Sequence, residues 1–298
     1  NTNFNKRFSL QSVASFTNYS RRTLSTTEDK ATGYEVLALG TGQQDKIKFN
    51  GAMFRGNVLY KISDKVSLQP GIDINMESGS GERIGTSTKT ISDYAFFVTA
   101  EIAVTKSISI RPGLRVVDNS VYQAPPVIPA INAKFSLSEN IDLRLSYARG
   151  FRAPSLRELY FNFFDASHSI EGNPNLEAEL SNSFTGSLNV NVINKNSFKL
   201  TTVFGSFYNN VNNLIDFAQK ADDPTITTYI NVAYYKTAGI TFNNTITWKN
   251  LTATAGFAYT GRYNQYNESD KSLPQFKWSP EINSNISYAF KKAGLNVN

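Results

Sequence analysis

Strict alternation of apolar and polar residues, repeated in segment after segment, constrains this chain more than any other feature. Residues 107–116 set Ile108, Ile110, Pro112, Leu114 and Val116 against Ser109, Arg111, Gly113 and Arg115, which is the two-residue period of a β-strand. Residues 141–149 repeat it, with Ile141, Leu143, Leu145 and Tyr147 opposing Asp142, Arg144, Ser146 and Ala148. In residues 68–76, Leu68, Pro70, Ile72, Ile74 and Met76 oppose Gln69, Gly71, Asp73 and Asn75. Residues 237–248 do the same with Ala238, Ile240, Phe242, Ile246 and Trp248. No comparable helical stripe of apolar residues is present, and the chain reads as all-β.

The pattern predicts about twelve strands, at 7–22, 46–62, 66–77, 91–104, 107–118, 127–137, 141–150, 181–193, 197–212, 229–248, 251–264 and 279–290, with a further one starting near Leu295. Their connections alternate in length. Short polar turns such as Ser63-Asp64-Lys65, Thr105-Lys106-Ser107, Ser138-Glu139-Asn140, Asn194-Lys195-Asn196 and Lys249-Asn250 alternate with long polar segments at 23–45, 78–90, 119–126, 151–180, 213–228 and 265–278. Short turns on one rim, long loops on the other and apolar-out, polar-in strands are the pattern of an antiparallel transmembrane β-barrel. About 9 to 11 tilted residues cross the hydrocarbon layer, and several of these segments are longer, so they project beyond it. Tyr60, Tyr94, Tyr122, Tyr147, Trp248, Tyr259 and Tyr288 lie near strand ends and are candidates for the aromatic girdles at the two interfaces.

Composition narrows the functional classes. The mean hydropathy of -0.32, with no run of about 20 apolar residues, excludes a helical membrane protein, whereas a barrel wall needs only every second residue apolar. The absence of cysteine removes disulfides, thiolate metal sites and cysteine nucleophiles together. The net charge of +6 comes from basic residues scattered over polar strand positions and loops, not clustered with stacking aromatics, so nucleic acid is not an expected partner. A basic lumen and rim suit anionic solutes or lipid phosphates instead. Gly79-Ser80-Gly81-Glu82-Arg83, Gly40 and Gly42 read as flexible loop tips, since no helix follows them to make a phosphate cradle. Asp222-Asp223-Pro224 lacks the spaced oxygen ligands of a calcium site and reads as a solvated loop. The single histidine, flanked by Ser167 and Ser169, makes no hydrolytic triad.

Residues 147–180 carry the most specific signal. A strand runs into an aromatic-rich loop bracketed by Phe151-Arg152-Ala153-Pro154 and Asn173-Pro174-Asn175-Leu176, with Gly150 ahead of the first group and Glu177 and Glu179 behind the second. Physically, Pro154 keeps Ala153 extended and ends the strand, and Asn173-Pro174 starts a turn, so both groups have a rim-shaping role. The two groups also resemble the paired boxes of TonB-dependent outer-membrane receptors. That resemblance implies a bacterial outer-membrane protein for active uptake of a scarce nutrient: an iron complex (haem or ferric siderophore) or cobalamin. It implies no covalent catalysis and no permanently bound cofactor. It further implies a barrel of about 22 strands, with a plug domain that engages the TonB complex, outer-membrane lipid around the wall and a possible surface lipoprotein partner. The chain, opening at Asn1 without a signal peptide and stopping at Asn298 with a strand barely begun, is then expected to be a partial barrel domain over residues 1–298. The plug and the terminal strands would lie outside it.

In haem receptors a histidine lies between boxes resembling these, which makes His168 a candidate axial ligand to haem iron carried as cargo. Tyr160, Phe161, Phe163 and Phe164 are candidates to flank a flat macrocycle, and Arg152 or Arg157 to pair with a propionate. Other classes stay open: a structural, adhesive or porin-like barrel without TonB coupling, a barrel enzyme, or a soluble all-β binding module.

Overall fold

A lone strand with one apolar face buries nothing, so such strands gain stability only by pairing edge to edge and turning their apolar faces to a common apolar medium. The computed structural model, which describes residues 2–5, 7–40, 43–164, 169–195, 197–265, 268–290 and 295–297, shows that outcome. Its strands are β1 (Thr2–Asn5), β2 (Phe8–Arg22), β3 (Thr26–Glu28), β4 (Glu35–Leu37), β5 (Lys46–Lys61), β6 (Val66–Gly81), β7 (Gly85–Ala103), β8 (Ile108–Asn119), β9 (Ile128–Ser138) and β10 (Ile141–Arg152). After the single helix of the described residues, α1 (Leu156–Tyr160), come β11 (Phe163–Phe164), β12 (Ser169–Glu171), β13 (Glu179–Lys195), β14 (Phe198–Gln219), β15 (Thr227–Trp248), β16 (Leu251–Tyr263), β17 (Phe276–Phe290) and β18 (Leu295–Val297).

Sequential antiparallel pairing joins one sheet in the order β1-β2-β5-β6-β7-β8-β9-β10-β13-β14-β15-β16-β17-β18. Short β3 and β4 pair only with each other, inside the first long loop. The fold is therefore an up-and-down meander, a slice of antiparallel barrel wall. Its outer surface is laid down by register. Ile108, Phe135, Leu143, Leu188, Phe204, Phe242, Phe257 and Ile282 are direct cross-strand partners in sequence around the sheet, one apolar row over eight strands. In a soluble protein such a row would be covered, yet here Phe204 is 44%, Phe242 42% and Ile282 82% exposed, as a lipid-facing surface requires. Tyr60, Trp248 and Tyr288 stand on this outer face toward the short-turn rim, and Tyr94, Tyr147 and Tyr259 toward the other. The inner face alternates with it and is polar: Asp73 accepts hydrogen bonds from Arg55 on adjacent β5 and, at 3.1 Å, from Arg115 on β8, beyond β7.

The expected strands match within a few residues except where they leave the membrane. β7 begins at Gly85 and not at 91, β6 continues to Gly81, and β14 continues to Gln219 and not 212. The long loop expected at 78–90 is in consequence only residues 82–84, and that at 213–228 only residues 220–226. Gly79 and Gly81 belong to β6 and are not loop tips. Gly81 has φ +136°, and a Cβ there would come within 3.0 Å of Ile47 Cα and Lys46 carbonyl oxygen, so glycine is required for a tight backbone crossing. The remaining loops at 120–127, 153–178 and 264–275 are where expected. Tyr122 leaves the girdle: it packs against the buried cluster of the long-loop rim, where burial, with Tyr160 and Glu158 nearby, pushes its hydroxyl up to about 12.

That cluster is the only buried hydrophobic core of the described residues. It joins Ile47, Ile84 and Ile91 to Leu156, Leu159 and Leu176 and to Ile215 and Tyr229. The core thus sits at the long-loop rim, where residues 153–164 and 169–178 fold between β5–β7 on one side and β14–β15 on the other.

Candidate functional site

Local sequence chemistry shapes the loop from its first residue. Ser155-Leu156-Arg157-Glu158 is a capping box: Glu158 N–H donates to Ser155 Oγ at 3.3 Å, and the Ser155 N–H donates to the Glu158 carboxylate at 2.7 Å. The box starts a five-residue helix that the strand-by-strand reading of the sequence lacks. A single turn cannot hold itself together, so its stability comes from Leu156 and Leu159, 2% and 1% exposed.

The two boxes close around this turn. Arg152, the last residue of β10, donates to both oxygens of Glu179 at 2.8 and 2.6 Å and to both oxygens of Glu158 at 3.1 and 3.0 Å. Burial opposes ionisation of Glu158, but Arg152 and the Ser155 cap outweigh it and hold the carboxyl below the usual carboxylate range. Glu179 also accepts from the backbone N–H of Ile215 at 2.8 Å. In the second box, Asn173 Nδ2 donates to the Tyr229 carbonyl at 2.8 Å while its Oδ1 accepts from Asn175 N–H at 2.9 Å. Leu176 is buried. Glu177 N–H donates to Asn231 Oδ1 at 2.7 Å, and Asn213 Nδ2 donates to the Glu177 carboxylate at 2.8 Å. The strand β12 adds parallel pairing to β15 at Ile170 with Thr227. The boxes therefore pin the loop to β14 and β15, and Pro154 is fully buried under it.

An aromatic and basic cleft of about 230 Å³ opens beside this pinned loop, lined by Tyr19, Arg21, Ile47, Phe49, Arg157, Phe161 and Phe163. Phe161 and Phe163 stack at 6.0 Å with 17° between planes, and Phe49 approaches Phe161 at 6.4 Å. Arg157 sits over Phe161 at 5.6 Å and Arg83 over Phe163 at 5.0 Å. Flat π-faces beside guanidinium groups accept a planar or anionic guest in the same place.

Of the residues singled out in the sequence, the structure brings Arg157, Phe161 and Phe163 together in the cleft. Arg152 is engaged in the two ion pairs, Tyr160 packs on the buried cluster with Lys89 over its ring at 5.0 Å, and Phe164 stands exposed on β11 outside the cleft. His168 lies outside the described residues. Sequence reasoning missed Tyr19, Arg21 and Phe49. Their signal was parity: Tyr19 pairs with Phe49 and Arg21 with Ile47, on the same inward face as Arg55, but that needs the register across residues 23–45. The Asp222-Asp223 loop is a local turn in which Asp223 accepts from Thr225 N–H and Oγ1, and no cluster of metal-ligating side chains occurs among the described residues.

Comparison with known structures follows the same outline. The siderophore receptor PirA from Pseudomonas aeruginosa superimposes with a TM-score of 0.69 at 17% identity, over 97% of this chain and 58% of that one. The outer membrane transporter YddB from Escherichia coli gives 0.67 at 14%, over 98% and 48%. The FrpB iron transporter from Neisseria meningitidis (F3-3 variant) gives 0.62 at 14%, over 96% and 47%. The chain thus spans about half the length of the solved structures it matches. No curated protein matches it in sequence. The family model for the TonB dependent receptor-like β-barrel matches residues 1–296. The chain belongs to the TonB-dependent receptor β-barrel family and is a slice of a bacterial outer-membrane barrel.

Proposed function

We propose that this protein supplies barrel wall and external loops to a receptor for active uptake of a scarce nutrient, and that the nutrient is an iron complex, a ferric siderophore or haem. The observation that carries the reading is the cleft at the long-loop rim: stacked Phe161 and Phe163 beside Arg157 and Arg21, on a loop pinned by both boxes. A pre-formed aromatic and cationic surface binds a flat anionic chelate with little ordering cost. The siderophore receptor PirA and the iron transporter FrpB share the fold, which supports the choice of cargo class. Haem enters as cargo and not as a resident cofactor, with His168 its proposed axial ligand. Energy reaches the barrel through a TonB-engaging plug domain, and a surface lipoprotein is a further proposed partner. The role is binding and transport without covalent chemistry.

The test is titration of ferric siderophores, haem and cobalamin into the full-length receptor in detergent, followed by absorbance and by quenching of intrinsic fluorescence. Saturable binding of an iron complex, weakened at least tenfold by the Arg157→Ala, Phe161→Ala double variant, is the expected result. Binding of no iron complex, or binding indifferent to that double variant, rejects the assignment. His168→Ala tests haem separately: it abolishes the haem signal and leaves siderophore binding intact if haem is the cargo.

A further inference from the structure

The short-turn rim carries a run of cations that neither the cleft nor the rim core uses. Arg7, Lys65, Lys106, Lys195 and Lys249 lie in or beside five of the first six short turns, opposed only by Asp64 and by Glu139 of the turn between β9 and β10. Lys65, Lys106, Lys195 and Lys249 are exposed, and among the described residues none of them makes an ion pair or a side-chain hydrogen bond. The long-loop rim differs: there Arg152 is held by Glu158 and Glu179, and Lys220 by Glu171 at 2.9 Å.

Main-chain hydrogen bonds fix the turns that bear these cations. The Lys61 N–H donates to the Arg7 carbonyl at 2.8 Å, Ala103 to Lys65 at 2.8 Å, Ser136 to Ser107 at 2.7 Å, Asn191 to Asn140 at 2.8 Å and Lys249 to Ser197 at 2.9 Å. Each turn is thus tied to the next strand or turn round the rim. The outer face sets their height. Ile62, Val104, Ile193 and Trp248 continue the lipid-facing rows and are exposed, and each lies one to three residues from the cation of its turn. At about 3.3 Å per residue, the cation-bearing backbone stands within about 10 Å of the hydrocarbon edge, at the level of the headgroups. Lys249 Nζ lies 5.6 Å over the Trp248 ring, which sets this ammonium beside an aromatic group on the lipid side of the wall.

We infer that this rim is an interaction surface for anionic phospholipids of the leaflet on the short-turn side, with phosphate oxygens accepting hydrogen bonds from Lys65, Lys106, Lys195 and Lys249. An anionic headgroup has no cation of its own to offset its phosphate, so it gains more from each lysine than a zwitterionic one. The surface lies on the lipid side of β5–β10 and β13–β16, each flanked on both sides by strands of this chain. It therefore requires neither an open lumen nor further chain, and it is independent of the cargo. Headgroup contacts along one rim hold the barrel at a set depth, which hydrophobic matching alone fixes only softly.

The test reconstitutes the full-length receptor in phosphatidylcholine bilayers. Electron spin resonance then compares spin-labelled phosphatidylglycerol with spin-labelled phosphatidylcholine for association with the protein surface. One variant is the triple Lys106→Gln, Lys195→Gln, Lys249→Gln; a second removes the same charge from the long-loop rim, as Lys30→Gln, Lys46→Gln, Lys271→Gln. Each surface cation favours an anionic headgroup by on the order of fivefold where it sits, and the label samples the whole annulus, so a preference of about threefold for phosphatidylglycerol is expected. It is at least halved in the short-turn triple, survives in the long-loop triple and fades as salt rises from roughly 20 to 500 mM. No preference in the wild type, or an undiminished preference in the short-turn triple, overturns the inference. An equal loss in both triples also overturns it, because net charge and not this rim then decides. Where the short-turn triple fails to fold, the single variants Lys106→Gln and Lys249→Gln take its place, and an undiminished preference in both overturns the inference equally.

Discussion

Replacing Arg152 with Ala separates the two roles open to the first box, because the structure gives Arg152 a structural task of definite size. Its guanidinium bridges Glu179 and Glu158, whose side chains are 14% and 16% exposed. Breaking a buried pair by removing one partner costs about 3 to 5 kcal/mol, and an exposed pair contributes about 1 kcal/mol or less. Arg152 itself is 45% exposed, so water takes over part of its work and a loss of about 2 kcal/mol is expected, near thirtyfold in a local opening constant. The removal also leaves two carboxylates facing each other without a cation, so the loss falls on the loop and not on the wall. Hydrogen exchange of the full-length receptor in detergent reads it directly. Protection across residues 155–164 and 173–180 falls about thirtyfold, while the middle of β13–β16 exchanges as before. Arg152→Lys retains charge but not the fork and loses about half as much. Unchanged exchange in the loop, or a uniform change over the barrel, refutes the argument. Reduced cargo affinity with unchanged loop protection makes Arg152 a ligand contact instead.

Three further outcomes follow from the same geometry. Leu159→Ala removes a side chain 1% exposed at the centre of the rim core and costs about 3 kcal/mol, seen as protease cleavage within residues 153–178 while the strands stay intact. Gly172→Ala places a Cβ 2.8 Å from the Tyr160 nitrogen and 2.9 Å from the Leu159 carbonyl. Since those atoms are backbone, the helix must shift, and about 1 to 3 kcal/mol of loop stability is lost in the same assay. Glu158 has a folded pKa below its ordinary 4.5, so its contribution is complete above that value and is lost as pH falls through the folded pKa. Loop exchange, corrected for intrinsic rate, therefore accelerates as pH falls below 4.5, and Glu158→Gln removes most of that dependence.

The parts of this fold that could be read from sequence are the parts that lipid dictates. A hydrocarbon medium forces every second side chain to be apolar, so Ile141, Leu143 and Leu145 announced β10 without any knowledge of its neighbours, and the row from Ile108 to Ile282 follows once the strands are paired. Beyond the membrane that requirement disappears. Asn209, Asn210, Asn212 and Asn213 carry no binary pattern, yet the backbone ladder runs on through Leu214 with Val232 to Gln219 with Thr227, because main-chain pairing does not depend on which medium bathes the side chains. The helix α1 was signalled by Ser155 and Glu158, but five residues are too few for a 3.6-residue period to emerge against the surrounding strands.

The boxes show a different kind of limit. Their residues were visible as markers, whereas their partners were not: Arg152 meets Glu179 across 27 positions and Asn173 meets Tyr229 across 56, distances over which a single sequence holds no register. The cleft repeats the point, since Phe161 and Phe163 were legible in the loop but Tyr19 and Phe49 acquire meaning only when β2 and β5 are paired across residues 23–45. Lipid does not bathe the rim, and its small core draws single residues from separate elements, so no periodic pattern dictates its residue types. That same freedom allows the rim to be shaped for a ligand, and it is why the function of such a barrel is concentrated where its sequence is least periodic.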